Sequence, residues 1–232
     1  VGHCGKLFLA FAFLLFTFIS YAQTTVSLQA SADARIDASG YSTNYATEAD
    51  VITMPWSSLY SRRFVIKFDL SSIPTGSTIQ SATLKLRETG TYGYTRTINA
   101  HRLTRAWNES TVTWNTPWSA GGADFIATPA ASTAISWTGT LKQDSWNLTS
   151  DVQAMVAGTN TNNGWVIKDN VEDASQRFWK FASKENANSS LRPVLVITYT
   201  NAITVNVTPA SATICAGANT SLTASGATTY SW

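Results

Sequence analysis

From Arg62 to Glu88 the chain reads RRFVIKFDLSSIPTGSTIQSATLKLRE, two runs of alternating apolar and polar residues joined by a turn-rich link around Pro74 and Gly76. In the first run Phe64, Ile66, Phe68 and Leu70 fall on one face of a strand, and Arg63, Val65, Lys67 and Asp69 on the other. In the second, Ala82, Leu84 and Leu86 face away from Thr83, Lys85 and Arg87. A period of two with one apolar side predicts a sheet that is dry on one face and wet on the other. The wet faces of both strands are basic.

The same alternation marks a first strand over residues 24–37, with Ala32, Ala34 and Ile36 opposite Ser31, Asp33, Arg35 and Asp37. A polar loop follows over 38–50. Further strands are predicted over 96–103, in two short segments around Gly139, and over 165–168, 177–183 and 193–200. The Thr, Val and Trp content of 107–115 suits a strand or its approach. Once only does the period lengthen: Val152, Met155 and Val156 stand at helical spacing behind Thr149-Ser150-Asp151, an N-cap group, with Gly158 as the stop. Roughly ten strands and one short helix predict an all-β fold, a β-sandwich of jelly-roll type.

Composition narrows the class. With 232 residues, 44% hydrophobic and 13% charged, the chain has enough apolar surface for one substantial core, which excludes wholesale disorder. Residues 7–19, LFLAFAFLLFTFI, follow Lys6 and precede Ser20-Tyr21-Ala22. That reads as a secretory signal peptide over residues 1–22, cut after Ala22. The run is shorter than the roughly twenty residues a membrane-spanning helix needs, so no membrane contact is expected after cleavage. Beyond it Cys215 stands alone, and a lone cysteine makes no internal bridge. Residues 23–200 form the predicted sandwich. Residues 201–232 carry no charge and read as the start of an immunoglobulin-like repeat, truncated at Trp232, or as a Thr/Ser linker. Either reading predicts further domains of the same chain beyond Trp232.

The formal net charge is +2, too small an excess to suggest nucleic acid. Its distribution is uneven, at −3 over residues 23–61, +6 over 62–105 and −2 over 106–200.

The ordered blocks Ala32-Asp33-Ala34, Asn44-Tyr45, the strand pair quoted above, WNESTVTWN, DVQAMVAG with NNGWVI, FASKE and RPVLVITY resemble the DNRLRE-domain family, which overlaps carbohydrate-binding module family 96. The resemblance runs from about Thr25 to Thr200. It implies a non-catalytic β-sandwich of secreted bacterial proteins, found beside polysaccharide-degrading domains, with alginate-like binding in some members. The sequence departs from the pattern at Ala46, where Gly is usual, and at Lys184, where Arg is usual. The tail resembles the immunoglobulin-like repeats of large secreted proteins from gliding, polysaccharide-using bacteria.

A polysaccharide partner needs flat aromatic faces for its pyranose rings and planar donors for hydroxyls or carboxylates. Arg63, Lys67, Lys85 and Arg87 point outward by parity, and form one basic face if their strands pair or flank a common neighbour. Tyr92 and Tyr94, in a Gly-flanked loop, and Trp107, Trp114, Trp56 and Tyr60 are the candidate platforms; Asn108 and Glu109 lie between two tryptophans and suit hydroxyl groups. Core packing competes for every tryptophan. Asp33, Asp37, Asn44 and Asp50 are hard oxygen ligands near the first strand, compatible with a structural calcium ion, although their spacing matches no calcium loop. No other cofactor is expected.

No catalysis is expected either. His101 is the one histidine beyond the leader, mid-strand, and the carboxylates to suspect in a glycan-cleaving alternative are Glu109 with Asp69 or Glu185. The competing non-enzymatic reading is a structural or adhesive cell-surface stalk without a sugar site.

Overall fold

The computed structural model describes residues 21–56, 59–92, 94–173, 177–202, 206–208 and 219–225. The leader residues 1–20 lie outside the described residues, as do most of those assigned to the immunoglobulin-like repeat.

The strands are β1 (Tyr21–Asp37), β2 (Asp50–Thr53), β3 (Arg62–Phe68), β4 (Thr78–Thr91), β5 (Arg96–Arg102), β6 (Ala131–Ile135) and β7 (Gln143–Asn147), then β8 (Trp165–Asp169), β9 (Trp179–Ala182) and β10 (Val194–Ala202). They hydrogen-bond in the order β2-β9-β4-β10-β1-β3-β8-β5-β6, with β7 also on β4. Two long strands let this ladder fold into a sandwich. β4 pairs with β10 and β7 along most of its length, and its end, Glu88 to Thr91, pairs with β9. β1 neighbours β10, and from Ala30 onward it pairs with β3.

The register of β1 on β3 shifts between Ala30 and Ala32, a bulge at Ser31. Side-chain parity flips there. Ala30 packs in the main core, but Ala34 and Ile36 pack in a second cluster on the other face. Asp33 and Arg35 consequently stand opposite Ile66 and Phe64, on the inner side of the sheet. The expected wet face of this strand is buried: Asp33 and Asp37 are each 1% exposed.

The main core joins Phe64, Ile66 and Phe68 of β3 to Leu84 and Leu86 of β4, with Trp146, Trp165, Trp179 and Phe181 filling the interior. Each such side chain contributes about 1.5–3 kcal/mol by leaving water. Buried indoles keep their donors satisfied, Trp146 Nε1 on the Ile98 carbonyl and Trp165 Nε1 on Asp151 Oδ2, both at 2.8 Å.

The second cluster lies on the outer face of β1, β3 and β8. Ala34, Ile36, Val65 and Val166 are covered there by Val112 and Trp118, with Trp107, Trp114 and Phe125 against them. Residues 104–126 therefore form a third layer instead of the strand that their composition suggests. Within it the Asn108 carbonyl and side chain accept from the 110–112 backbone, and Trp118 Nε1 donates to the Thr113 carbonyl at 3.0 Å.

This arrangement corrects the basic face. β3 and β4 neither pair nor share a neighbour, since both β10 and β1 intervene. Their apolar sides meet in one core, so Arg63 and Lys67 point away from Lys85 and Arg87, on opposite sides of the sandwich. Val65, predicted to be wet, is fully buried.

The predicted helix is present as α1 (Thr149–Val156), burying Val152 and Met155. Its end is shaped by Gly158 at φ 74°. Its start differs, because Asn147 Oδ1, not Thr149, accepts the first free amide, at 3.1 Å. In the tail, β11 (Asn206–Thr208) and β12 (Thr223–Ser225) pair antiparallel.

Candidate functional site

Several of the predicted ligand residues serve the fold. Arg63 clamps Glu172 and donates to the Gly122 carbonyl, with Trp114 and Phe125 against its guanidinium. Trp107 donates Nε1 to the Asn163 carbonyl at 2.8 Å, and Asn108 shapes a turn. His101 is buried against Phe125, its Nδ1 2.9 Å from the Ile126 carbonyl oxygen. Burial holds the imidazole below its ordinary pKa. Lys85 and Arg87 lie opposite Ser145 and Gln143 on the outer side of β4.

Of the four residues offered to calcium, Asp33 alone enters a carboxylate cluster. Asp37 accepts from Arg35, from Arg62 Nε at 2.8 Å and from Ser39. Asn44 spends its amide on the Glu109 and Val112 carbonyls, and Asp50 pairs in β2 with Ala182. Asp33 instead meets Glu109 and Glu185, with one carboxylate oxygen of each lying within 4.8 Å of the others. Three separate blocks of the chain supply the three groups. The backbone amides of Asp33 and Lys184 reach across it, donating to Glu109 Oε1 at 2.8 Å and to Asp33 Oδ2 at 2.7 Å. Lys184 Nζ bridges Glu109 Oε2, at 3.2 Å, and Glu185. Burial foremost, with the charges of Glu185 and Glu109 and against the Lys184 amide, pushes the Asp33 carboxyl up to about 7. Asp69, the other suspected partner of Glu109, turns to the Ser71 amide.

A different surface combines cations and rings. Arg35, Arg62, Lys180, Glu48, Asp50 and Ile52 border a groove of about 310 Å³. Arg35 is spent within the protein, held by Asp37 and Glu48 and stacked 3.6 Å over Tyr45. Lys180 is not: among the described residues it forms no ion pair and lies 5.8 Å from the Phe178 ring. Strand alternation explains why it is half-buried and not in the core. Trp179 and Phe181 on either side enter the core, which turns Lys180 out over Gly90.

Beyond Lys180, Phe178 meets Tyr92 edge-on with centroids 5.0 Å apart, and Arg177 stacks 4.0 Å over Tyr94. Tyr92 and Tyr94 are 64% and 51% exposed. Trp56 and Tyr60 form a second ring pair, 4.9 Å apart, in the loop joining β2 to β3. The two tyrosines were identifiable from their Gly-flanked loop. Lys180 was missed, although its place between two large apolar neighbours in a strand was the available signal.

Among the described residues no helix is long and apolar enough to cross a membrane. No curated protein matches the chain. The sequence profile of carbohydrate-binding module family 96 matches residues 24–199, which runs from within β1 to within β10 and covers more than half of the 232 residues. The chain belongs to carbohydrate-binding module family 96.

Proposed function

We propose that the sandwich is a secreted, non-catalytic module that holds an anionic polysaccharide, such as alginate or pectin, along the Arg62–Lys180 groove and the adjoining Phe178, Tyr92 and Tyr94 rings. The observation that carries this reading is Lys180, an ammonium without an ion pair among the described residues, standing between the groove and an aromatic pair. A uronan presents a carboxylate on each ring and a C–H face between its hydroxyl groups. The carboxylates suit Lys180 and the outer nitrogens of Arg62, whose Nε alone is bound to Asp37. The C–H faces suit Tyr92 and Tyr94. The leader over residues 1–22 supports export to where such polymers occur.

Native gels cast with alginate, polygalacturonate or a neutral glucan test the proposal. Retardation in the two uronans, relieved by salt, is expected. Mobility unchanged in all three gels would favour a stalk domain without a sugar site.

A further inference from the structure

We infer that Asp33, Glu109 and Glu185 form a site for one calcium ion. The first argument is spacing. Calcium takes carboxylate oxygens at about 2.3–2.6 Å, so two oxygens on opposite sides of one ion stand about 4.6–5.2 Å apart. The three groups offer oxygens within 4.8 Å of one another, close enough to share an ion.

The second is the state of the individual oxygens. Asp33 is 1% exposed, and its Oδ1 has no hydrogen-bond partner. Glu185 Oε2 is likewise buried and unpartnered. Their companion oxygens are engaged, Asp33 Oδ2 by the Lys184 amide and Glu185 Oε1 by the Lys184 ammonium. Unpaired oxygens on buried carboxylates are costly, so these two orphans call for a partner. Neighbouring donors hold these companion oxygens and both oxygens of Glu109, and leave those two for an ion.

Charge supplies the third argument. Three carboxylates and one ammonium sum to −2, the charge that a single divalent cation balances. Lys184 alone leaves the cluster undercompensated. All-oxygen ligation selects a hard cation over zinc or copper. The ligands come from β1, from the outer layer over residues 104–126 and from the segment after β9, so the ion fastens that layer to the sheet.

The full chain, stripped with a chelator and dialysed, is titrated with calcium chloride while heat and thermal midpoint are followed. One equivalent of binding is expected. A hundredfold excess over the dissociation constant raises the midpoint by about 5–10 °C. Asp33→Asn and Glu185→Gln keep side-chain shape and lose the calcium-dependent rise; Asp50→Asn, outside the cluster, retains it. A stripped wild-type protein that shows neither binding nor a shift overturns the inference. So does an undiminished rise in both cluster variants. The wild-type titration decides even if a variant fails to fold.

Discussion

Arg63 holds Glu172 with two parallel bonds, Nε to Oε1 and Nη2 to Oε2, each 2.7 Å long. The two residues lie 109 positions apart, and the arginine side chain is only 12% exposed. Burial raises the Glu172 carboxyl, but the bonds and charge of Arg63, with the charge of Lys168, outweigh it and bring the group below its ordinary pKa. A lowered carboxylate pKa gives stability that is present above the unfolded value of 4.5 and lost as pH falls through the folded one. Removing one partner strands the other in a poorly hydrated place.

Arg63→Ala should therefore cost roughly 2–4 kcal/mol in urea unfolding at pH 7. Binding to a uronan should stay unchanged in the folded fraction, because Arg63 points away from solvent-borne ligands. Loss of binding at full stability would contradict this placement.

Gly164 has φ 78°, and a Cβ added there would meet the Ile66 carbonyl oxygen and backbone. Both the dihedral and the crowding require glycine. Gly164→Ala should lower stability by about 2–4 kcal/mol, read as a shift of the urea midpoint. An unshifted midpoint would show that β3 can move aside.

Glu88 ends the inward row of β4 beside Asp144, and both are buried. Burial first, then the bond shared with Asp144, pushes the Glu88 carboxyl up to about 7. The sign is opposite to that of Glu172. A raised carboxyl stabilises fully below its unfolded pKa of 4.5, and the contribution is lost as pH rises through about 7. Between pH 5 and pH 8 Glu88→Gln should lose less thermal stability than the wild type, by on the order of 5 °C. Parallel pH profiles for the two proteins would contradict a raised Glu88 carboxyl.

The fold was legible because period-two alternation survives in β4, where one face meets the core, and in the inward row Phe64, Ile66 and Phe68 of β3. It failed in β1, where the bulge at Ser31 exchanges the faces. No residue type announces that shift. The basic surplus of residues 62–105 was misread for a related reason. Five of its eight cations find carboxylates elsewhere in the chain: Arg62 on Asp37, Arg63 on Glu172, Arg96 on Asp169, Arg102 on Asp151 and Arg105 on Asp124. Local charge counts are blind to such long-range neutralisation. The carboxylate cluster depended equally on tertiary convergence. Asp33, Glu109 and Glu185 each stood out in the sequence, but only the fold sets all three together.

Sugar recognition at Lys180 and Tyr92 is tested most directly by calorimetric titration of alginate into the wild type, Lys180→Ala, Tyr92→Ala and Arg87→Ala. Losing a charge-assisted contact or a stacking ring should weaken binding about tenfold in each of the first two variants, while Arg87→Ala binds like the wild type. Wild-type affinity in both Lys180→Ala and Tyr92→Ala, with the loss found in Arg87→Ala, would contradict the account and move recognition to the opposite side of the sandwich.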